Sequence, residues 1–462
     1  MVSINALSRR SFLRMAGSTA AVVLVAACAP QVEVDVVDEP EDAVVTEPVA
    51  AEPEPPRDVA LTFLSQQATI GEQEPINILF SRFEDENPGV TVQRLTTAAG
   101  DDYFTKLVTM TAAGTPPDLF YMPPWNLVYF KDEGLLAPLD PFIDVDQSLD
   151  RDNVVPGLLN EYSWNEELLG LPVFASILRI WAYNKDAFDE AGVEYPTRNW
   201  SYDEFLEKAS MAMTRVGDEV DVWGGDPRLQ DNAHLLPWLW TFGGDFYNYP
   251  ELTASALTRP ESIEAMQASV DLLRTYEIQP PPEIGPMDLG ISFPAGKLAT
   301  SAIGTGQWID PTDREVSAWP FSFGLIEQPT VRETHSLIHS TGISMAAQPS
   351  DRDAAWRLLA HLMSEESQIF YSESAGGISG LLSVGAQYAF ADLPAEDLAV
   401  INDNMDRARS RVYWRTPVWG RNATDAQAIW QSLWLGDISA EEACTQAAQE
   451  IDAVLEEALA EQ

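Results

Sequence analysis

Val59-Ala-Leu-Thr-Phe-Leu64, Val90-Thr-Val-Gln-Arg-Leu95 and Asp118-Leu-Phe-Tyr-Met122 are the three strand-forming runs of the stretch 59–122, and this stretch decides the fold. Between the first two, a helix runs to about Glu86, with Pro75 in its first turns and Ile76, Leu79, Phe80 and Phe83 at helical spacing. Between the second and third, Asp102 to Ala113 reads as a helix with Phe104, Leu107, Val108 and Thr111 along one stripe. Asn87-Pro88-Gly89 and Gly114-Thr-Pro-Pro117 are the breaks that end these helices. Strand, helix and strand in alternation predict an α/β fold with a largely parallel sheet. Ligands of such sheets sit beyond the carboxyl ends of the strands, which directs attention to Ser65–Thr69 and Met122–Asn126.

Upstream of this unit the chain changes character twice. Ser8-Arg9-Arg10-Ser11-Phe12-Leu13-Arg14 precedes an apolar stretch from Met15 to Ala27 and then Cys28. A charged region followed by a short apolar one is an export signal, too short for a spanning helix. The Arg9-Arg10 pair is similar to a twin-arginine signal, and Leu24-Val25-Ala26-Ala27-Cys28 resembles a bacterial lipobox, which makes residues 1–27 a signal peptide and Cys28 the lipidation site. An ordinary secretory signal with an incidental cysteine is the alternative. Residues 28–58 then form an acidic, Pro-rich stretch with no aromatic residue, expected to be a disordered tether. Cys444, among alanines, reads as a small buried helix residue.

The 462 residues carry 27 Lys plus Arg against 72 Asp plus Glu, a formal net charge of −45. Binding to nucleic acid phosphates is driven by Lys and Arg displacing counterions, so this balance excludes nucleic acid as a partner. At 45% hydrophobic and 10% aromatic residues, the body is long and apolar enough for a globular core. Two cysteines support neither a disulfide framework nor a cysteine zinc site. His335-Ser-Leu-Ile-His339 spaces two histidines at i, i+4 but lacks the glutamate of a zinc protease motif, so no metal is assigned. No Gly-x-Ser-x-Gly elbow appears. Among 72 acids, no carboxylate pair is singled out for glycoside hydrolysis. The expectation is a protein without a catalytic step and without a cofactor.

A set of motifs in fixed order carries a family resemblance. Phe83-Glu-Asp-Glu-Asn-Pro-Gly-Val90, Asp102-Tyr-Phe-Thr-Lys-Leu107 and Gly114-Thr-Pro-Pro-Asp-Leu-Phe120 resemble the extracellular solute-binding protein family 1, the substrate-binding components of carbohydrate-type ABC importers. Gly134-Leu-Leu-Ala-Pro-Leu139, Gly170-Leu-Pro-Val173, Tyr183-Asn-Lys-Asp-Ala-Phe-Asp-Glu-Ala-Gly192 and Trp200-Ser-Tyr-Asp-Glu-Phe205 continue it, followed by Phe293-Pro-Ala-Gly-Lys-Leu-Ala299 and Leu435-Gly-Asp-Ile-Ser-Ala-Glu-Glu-Ala443. The resemblance implies an α/β, two-lobed, periplasmic-binding-protein-like fold with a hinge between the lobes. Lobe 1 would hold 59–172 plus 335–385, and lobe 2 would hold 176–330 plus 390–462. It further implies a monomer on the outer face of the cytoplasmic membrane or in the periplasm. Such a protein captures a sugar, oligosaccharide or polyol derivative and delivers it to ABC permease subunits. A secreted carbohydrate-active hydrolase and a ligand-presenting sensor lipoprotein are the alternatives.

Fourteen tryptophans suit a cleft in which indole faces stack on sugar rings, although any one Trp can equally be core. Gln66, Gln67 and Trp125 follow predicted strands and stand at the expected cleft edge. By resemblance, Gly304 and Trp308 of Gly304-Thr-Gly-Gln-Trp308 line the cleft, as do Trp240, Gly243 and Asp245 of Trp238-Leu-Trp-Thr-Phe-Gly-Gly-Asp245. Asp245 reads either as a hydroxyl acceptor or as a turn former. Ser176, Thr341 and Gly342 are hinge-proximal positions that face ligand in the family or simply shape the hinge. The segment Arg407 to Arg421 holds five arginines and no acid, and Tyr413, Trp414 and Arg415 are its candidates for hydroxyl, carboxylate or phosphate recognition.

Overall fold

The computed structural model describes residues 58–66, 70–97, 101–173, 177–230, 232–281, 292–305, 319–375, 377–410 and 419–460. The chain divides into Met1–Arg57 and Asp58–Gln462. The expected signal peptide, Cys28 and all of the expected tether except Asp58 lie outside the described residues. The strands that matter are β1 (Val59–Gln66), β2 (Val90–Thr97), β3 (Leu119–Met122), β4 (Ile177–Asn184), β5 (Thr300–Gly304), β6 (Phe323–Ile326), β7 (Ile338–His339) and β8 (Gly342–Met345). The helices that matter are α1 (Ile70–Glu86), α2 (Asp101–Ala112), α3 (Leu127–Asp132), α4 (Pro156–Glu161), α5 (Asn232–Thr241), α6 (Pro260–Arg274), α7 (Arg352–Leu362), α8 (Ala395–Arg407), α9 (Trp419–Leu435) and α10 (Ala440–Ala460).

The first lobe is built on a four-stranded sheet in the order β8-β3-β1-β2. β1 runs parallel to β2, from Val59 opposite Val90 to Gln66 opposite Thr97, and parallel to β3, with Phe63 opposite Leu119. The predicted alternation of strand and helix over 59–122 is therefore what the chain adopts. β8 joins antiparallel to β3, with Gly342 opposite Met122. Leu61, Phe63, Leu79, Phe83, Leu119, Phe120, Ile343 and Met345 share one buried core with Leu358 and Leu359 of α7. Asp118 pins the sheet to its flanks. One carboxylate oxygen accepts the Thr62 backbone N–H at 2.6 Å and the Thr62 hydroxyl at 2.8 Å, and the other accepts the N–H of Ser350.

The second lobe departs from a largely parallel sheet. Its four strands centre on β4, and every pairing is antiparallel: β5 on one side, β6 and then β7 on the other. The reason is topological. β4 leads away from the crossing into the first lobe, and the chain regains that lobe directly after β7, so β7 must run back along β4. Hydrophobic periodicity carries no information on strand sense, and the parallel β1-β2-β3 unit does not extend to this sheet. Alternate residues of β4 serve opposite faces: Trp181 packs with Trp200, Phe205 and the α5, α6, α9 and α10 side chains, while Leu178, Ile180 and Ala182 pack with Phe293, Ile338, Val400 and Met405. Cys444 lies fully buried in α10, where desolvation pushes its thiol pKa up to about 12.

Candidate ligand cleft

The chain crosses between the two sheets at Ser340–Thr341: His339 ends β7 opposite Ile177, and Gly342 begins β8 opposite Met122. Polar groups on either side hold this crossing. The Glu161 carboxylate, at the end of α4, accepts the Ser340 N–H at 3.1 Å. The neighbouring Tyr162 hydroxyl reaches the Met122 and Ser340 carbonyls at 3.1 and 3.2 Å. Tyr121 donates to the Thr341 hydroxyl at 2.9 Å. Burial and the adjacent Glu161 raise the pKa of Tyr162 well above that of a free tyrosine, so its proton stays in place. Gly342 is a packing requirement here: a Cβ would stand 2.5 Å from both the Leu171 carbonyl oxygen and the Tyr162 ring.

The end of β5 meets the same place. Gly304 is buried opposite Arg179, and Thr305 binds Leu178 twice, its N–H to the carbonyl and its hydroxyl from the N–H, both at 3.0 Å. Leu178 in turn faces Ile338 of β7. Gly304, from β5, and the adjacent Thr341 and Gly342, at the start of β8, are thus gathered around the crossing from two separate parts of the sequence. Gln66 is the half-buried last residue of β1. Trp125 sits in the single turn Pro124–Asn126 that follows β3, with 43% of its surface exposed. Gln67, Ser176, Trp308, Tyr413, Trp414 and Arg415 lie outside the described residues.

Trp240, Gly243 and Asp245 form a second group at the end of α5. Gly243 adopts φ +85°, the left-handed conformation that terminates a helix, and donates its N–H to the Trp240 carbonyl at 2.9 Å. Asp245 accepts the Trp240 indole N–H at 3.0 Å and the Phe246 N–H at 2.7 Å. Its carboxyl is committed to the turn, and burial raises its pKa. Trp240 itself is 5% exposed, with the Arg409 guanidinium over its ring at 5.6 Å and the His335 ring edge-on at 6.3 Å. Glu333 bridges His335 at 2.7 Å and Arg409 at 3.7 Å. The Arg409 main chain pairs with Ser336 and Ile338, which sets the group just short of the crossing.

Several of these residues carried no sequence signal. Glu161, Tyr121 and Tyr162 stand in unremarkable local patterns, and their role comes from partners as far as 220 residues away. Arg409 belonged to the arginine-rich run, yet its acidic partner Glu333 sits on a remote loop. Among the described residues, no cluster of His, Cys, Asp and Glu could hold a metal ion, and no helix is long and apolar enough to cross a membrane. A surface hollow between Tyr202, Phe242, Glu264 and Thr330 contains none of the candidate residues.

Comparison with known proteins places this architecture. Residues 67–369 match the family model described as bacterial extracellular solute-binding protein. A binding protein of Brucella abortus (strain 2308) is 25% identical over 380 residues, covering 81% of this chain and 88% of its own. Among solved structures, the sugar-binding protein MalE of Xanthomonas citri superposes with a TM-score of 0.71 at 17% identity, covering 86% of this chain and 98% of that one. The cyclic α-maltosyl-1,6-maltose binding protein of Arthrobacter globiformis gives 0.70 at 22% identity, covering 86% and 99%. These neighbours are binding proteins. The chain belongs to the bacterial extracellular solute-binding protein family and has its two-lobed α/β fold.

Proposed function

We propose that this protein captures a sugar or sugar-like ligand at the crossing between its lobes and delivers it to the permease of an ABC importer, without a catalytic step. The observation that supports this reading most is the meeting of Gly304 and Thr341 with Tyr121 and Met122, at the end of β3, at one crossing between two sheets. Strand ends facing a switch between lobes are where open α/β sheets take ligands. The sugar class rests on the relatives, whose names include maltose, cyclic maltosyl-maltose and acarbose binders. Function in such a molecule is the higher affinity of the closed form for ligand. In this reading residues 1–27 are removed on export, Cys28 carries lipid, and residues 28–58 tether a monomeric body to the outer face of the membrane.

A thermal-shift screen of neutral sugars, polyols, sugar acids and sugar phosphates tests the reading. A true ligand at a hundred times its Kd adds about 2.7 kcal/mol to stability and raises the transition. A screen in which no carbohydrate-like compound moves the transition overturns the sugar assignment. Incubation of the bound glycan with the protein is expected to return it chemically unchanged. Mass spectrometry of the membrane-extracted protein is expected to find diacylglycerol on an N-terminal Cys28; an unmodified cysteine at the mature terminus overturns the anchor.

A further inference from the structure

One row across the second sheet holds two arginines. Arg179 of β4 lies opposite Gly304 of β5, and its backbone N–H donates to the Leu337 carbonyl at 2.8 Å. Leu337 pairs in turn with Arg409, which joins the sheet beside β7 through a parallel bridge. Gly304, Arg179, Leu337 and Arg409 therefore stand side by side, one row from the Leu178–Ile338 pair next to the crossing. Directly opposed residues share a face, and neighbouring rows face opposite ways. Leu178, Ile180 and Ala182 serve one core, so Arg179 faces the other side with Trp181, where Leu337 is buried and the Arg409 guanidinium lies over Trp240. β4 is the central strand, and Leu178, Ile180, Trp181 and Ala182 are exposed by 1% or less, yet Arg179 between them is partly exposed. With strands on both sides and a core on each face, Arg179 meets solvent past the end of the sheet that adjoins the crossing. The Arg409 side chain, in the same row, is 49% exposed.

We propose that Arg179 and Arg409 form a cationic shelf at the ligand crossing, and that the captured sugar carries an acidic group, a carboxylate or a phosphate, which this shelf reads. The inference rests on the sugar-capture reading above and names its substrate class. Two strand spacings of about 4.7–4.9 Å set the two backbones about 9–10 Å apart, so two long side chains flank one anionic group above Leu337. A guanidinium fork matches the paired oxygens of a carboxylate or phosphate. The acids around the row are already engaged. Glu161 accepts the Ser340 N–H, and Asp245 accepts the Trp240 and Phe246 N–H groups. Glu333 holds His335 at 2.7 Å and stands 3.7 Å from Arg409, too far for a hydrogen bond, which leaves the Arg409 donors to another acceptor. The large negative charge of the chain does not oppose this, because salt screens it over about 8 Å and the groups at the row decide.

The test is calorimetric titration of the full-length protein with glucose, galactose and mannose, their uronic acids and their 6-phosphates. In at least one series the uronic acid or the phosphate is expected to bind about tenfold or more tighter than its neutral parent, and the tighter of the two identifies the acidic group. Arg179→Gln and Arg409→Gln are each expected to weaken that binding about ten- to a hundredfold, the worth of a charge-assisted hydrogen bond, while the neutral parent changes little. Arg179→Lys keeps the charge but loses the fork and is expected to fall between wild type and Arg179→Gln. Thermal transitions without ligand report on folding, and Arg409→Gln, at an exposed position, carries the test if Arg179→Gln does not fold. Tightest binding of a neutral sugar, or unchanged affinity for the acidic sugar in Arg409→Gln and Arg179→Lys, overturns the shelf and leaves the sugar-capture reading standing. Failure of every compound to bind the wild type overturns both.

Discussion

Gly342→Ala puts a methyl group into the tightest point of the crossing. The added Cβ would lie 2.5 Å from the Leu171 carbonyl oxygen and 2.5–2.7 Å from the Tyr162 ring, well inside the closest approach of real side chains. Neither neighbour can withdraw cheaply. The Leu171 oxygen already accepts the Ile343 N–H at 2.9 Å, and Tyr162 is fully buried with its hydroxyl on the Met122 and Ser340 carbonyls. Overpacking of a rigid site costs about 1–3 kcal/mol. Displacing one buried hydrogen bond adds about 1–3 kcal/mol, so the total is about 2–6 kcal/mol. That is a large share of the ~5–15 kcal/mol that holds a typical domain together. Urea unfolding followed by tryptophan fluorescence, without ligand, should place the variant's midpoint well below wild type. Tyr162→Leu should not rescue it, because the backbone oxygen of Leu171 stays in place. A variant that unfolds at the wild-type midpoint yet loses ligand affinity refutes the packing argument and makes Gly342 a ligand-approach glycine.

Three further outcomes follow from buried groups. In a Cys28→Ser background, Cys444 should not react with an aromatic disulfide reagent at pH 8 until denaturant is added, since burial holds its pKa near 12; fast native reaction refutes that burial. The pKa of His335 is lowered by desolvation and then by Arg409, against an opposing pull from Glu333. The unfolded chain therefore binds more protons below pH ~6.5, and stability falls as pH drops from there towards the folded pKa; His335→Phe should flatten the profile of transition temperature against pH, and parallel profiles refute the assignment. Trp240→Phe removes a donor from the buried Asp245 carboxylate at a cost of about 1–3 kcal/mol. Because burial already raises the pKa of Asp245, its share of stability is lost as pH rises through that value, and the variant should lose more at pH 7 than at pH 4; equal loss at both refutes the pairing.

The antiparallel second sheet and the parallel first one mark where local pattern stops being informative. Ile76, Leu79, Phe80 and Phe83 announce α1 by spacing alone, and Asn87-Pro88-Gly89 announces its end, so β1, β2 and β3 were legible with their helices. Asp245 was legible as an acid after two glycines, yet only the turn of α5 brings its carboxyl to the Trp240 indole and commits it there. Tyr162 and Glu161 carried no pattern at all, because their partner Ser340 is 178 and 179 residues away.

From its sequence alone this protein is an α/β solute-binding chain: periodicity and turn residues depend on neighbours within a few positions, and family motifs are read in order. The tertiary structure decided the sense of the second sheet, the packing reason for Gly342, the partners of Arg409 and the row it shares with Arg179. Each of these depends on which distant segments meet, and that is settled by topology and burial rather than by any local spacing.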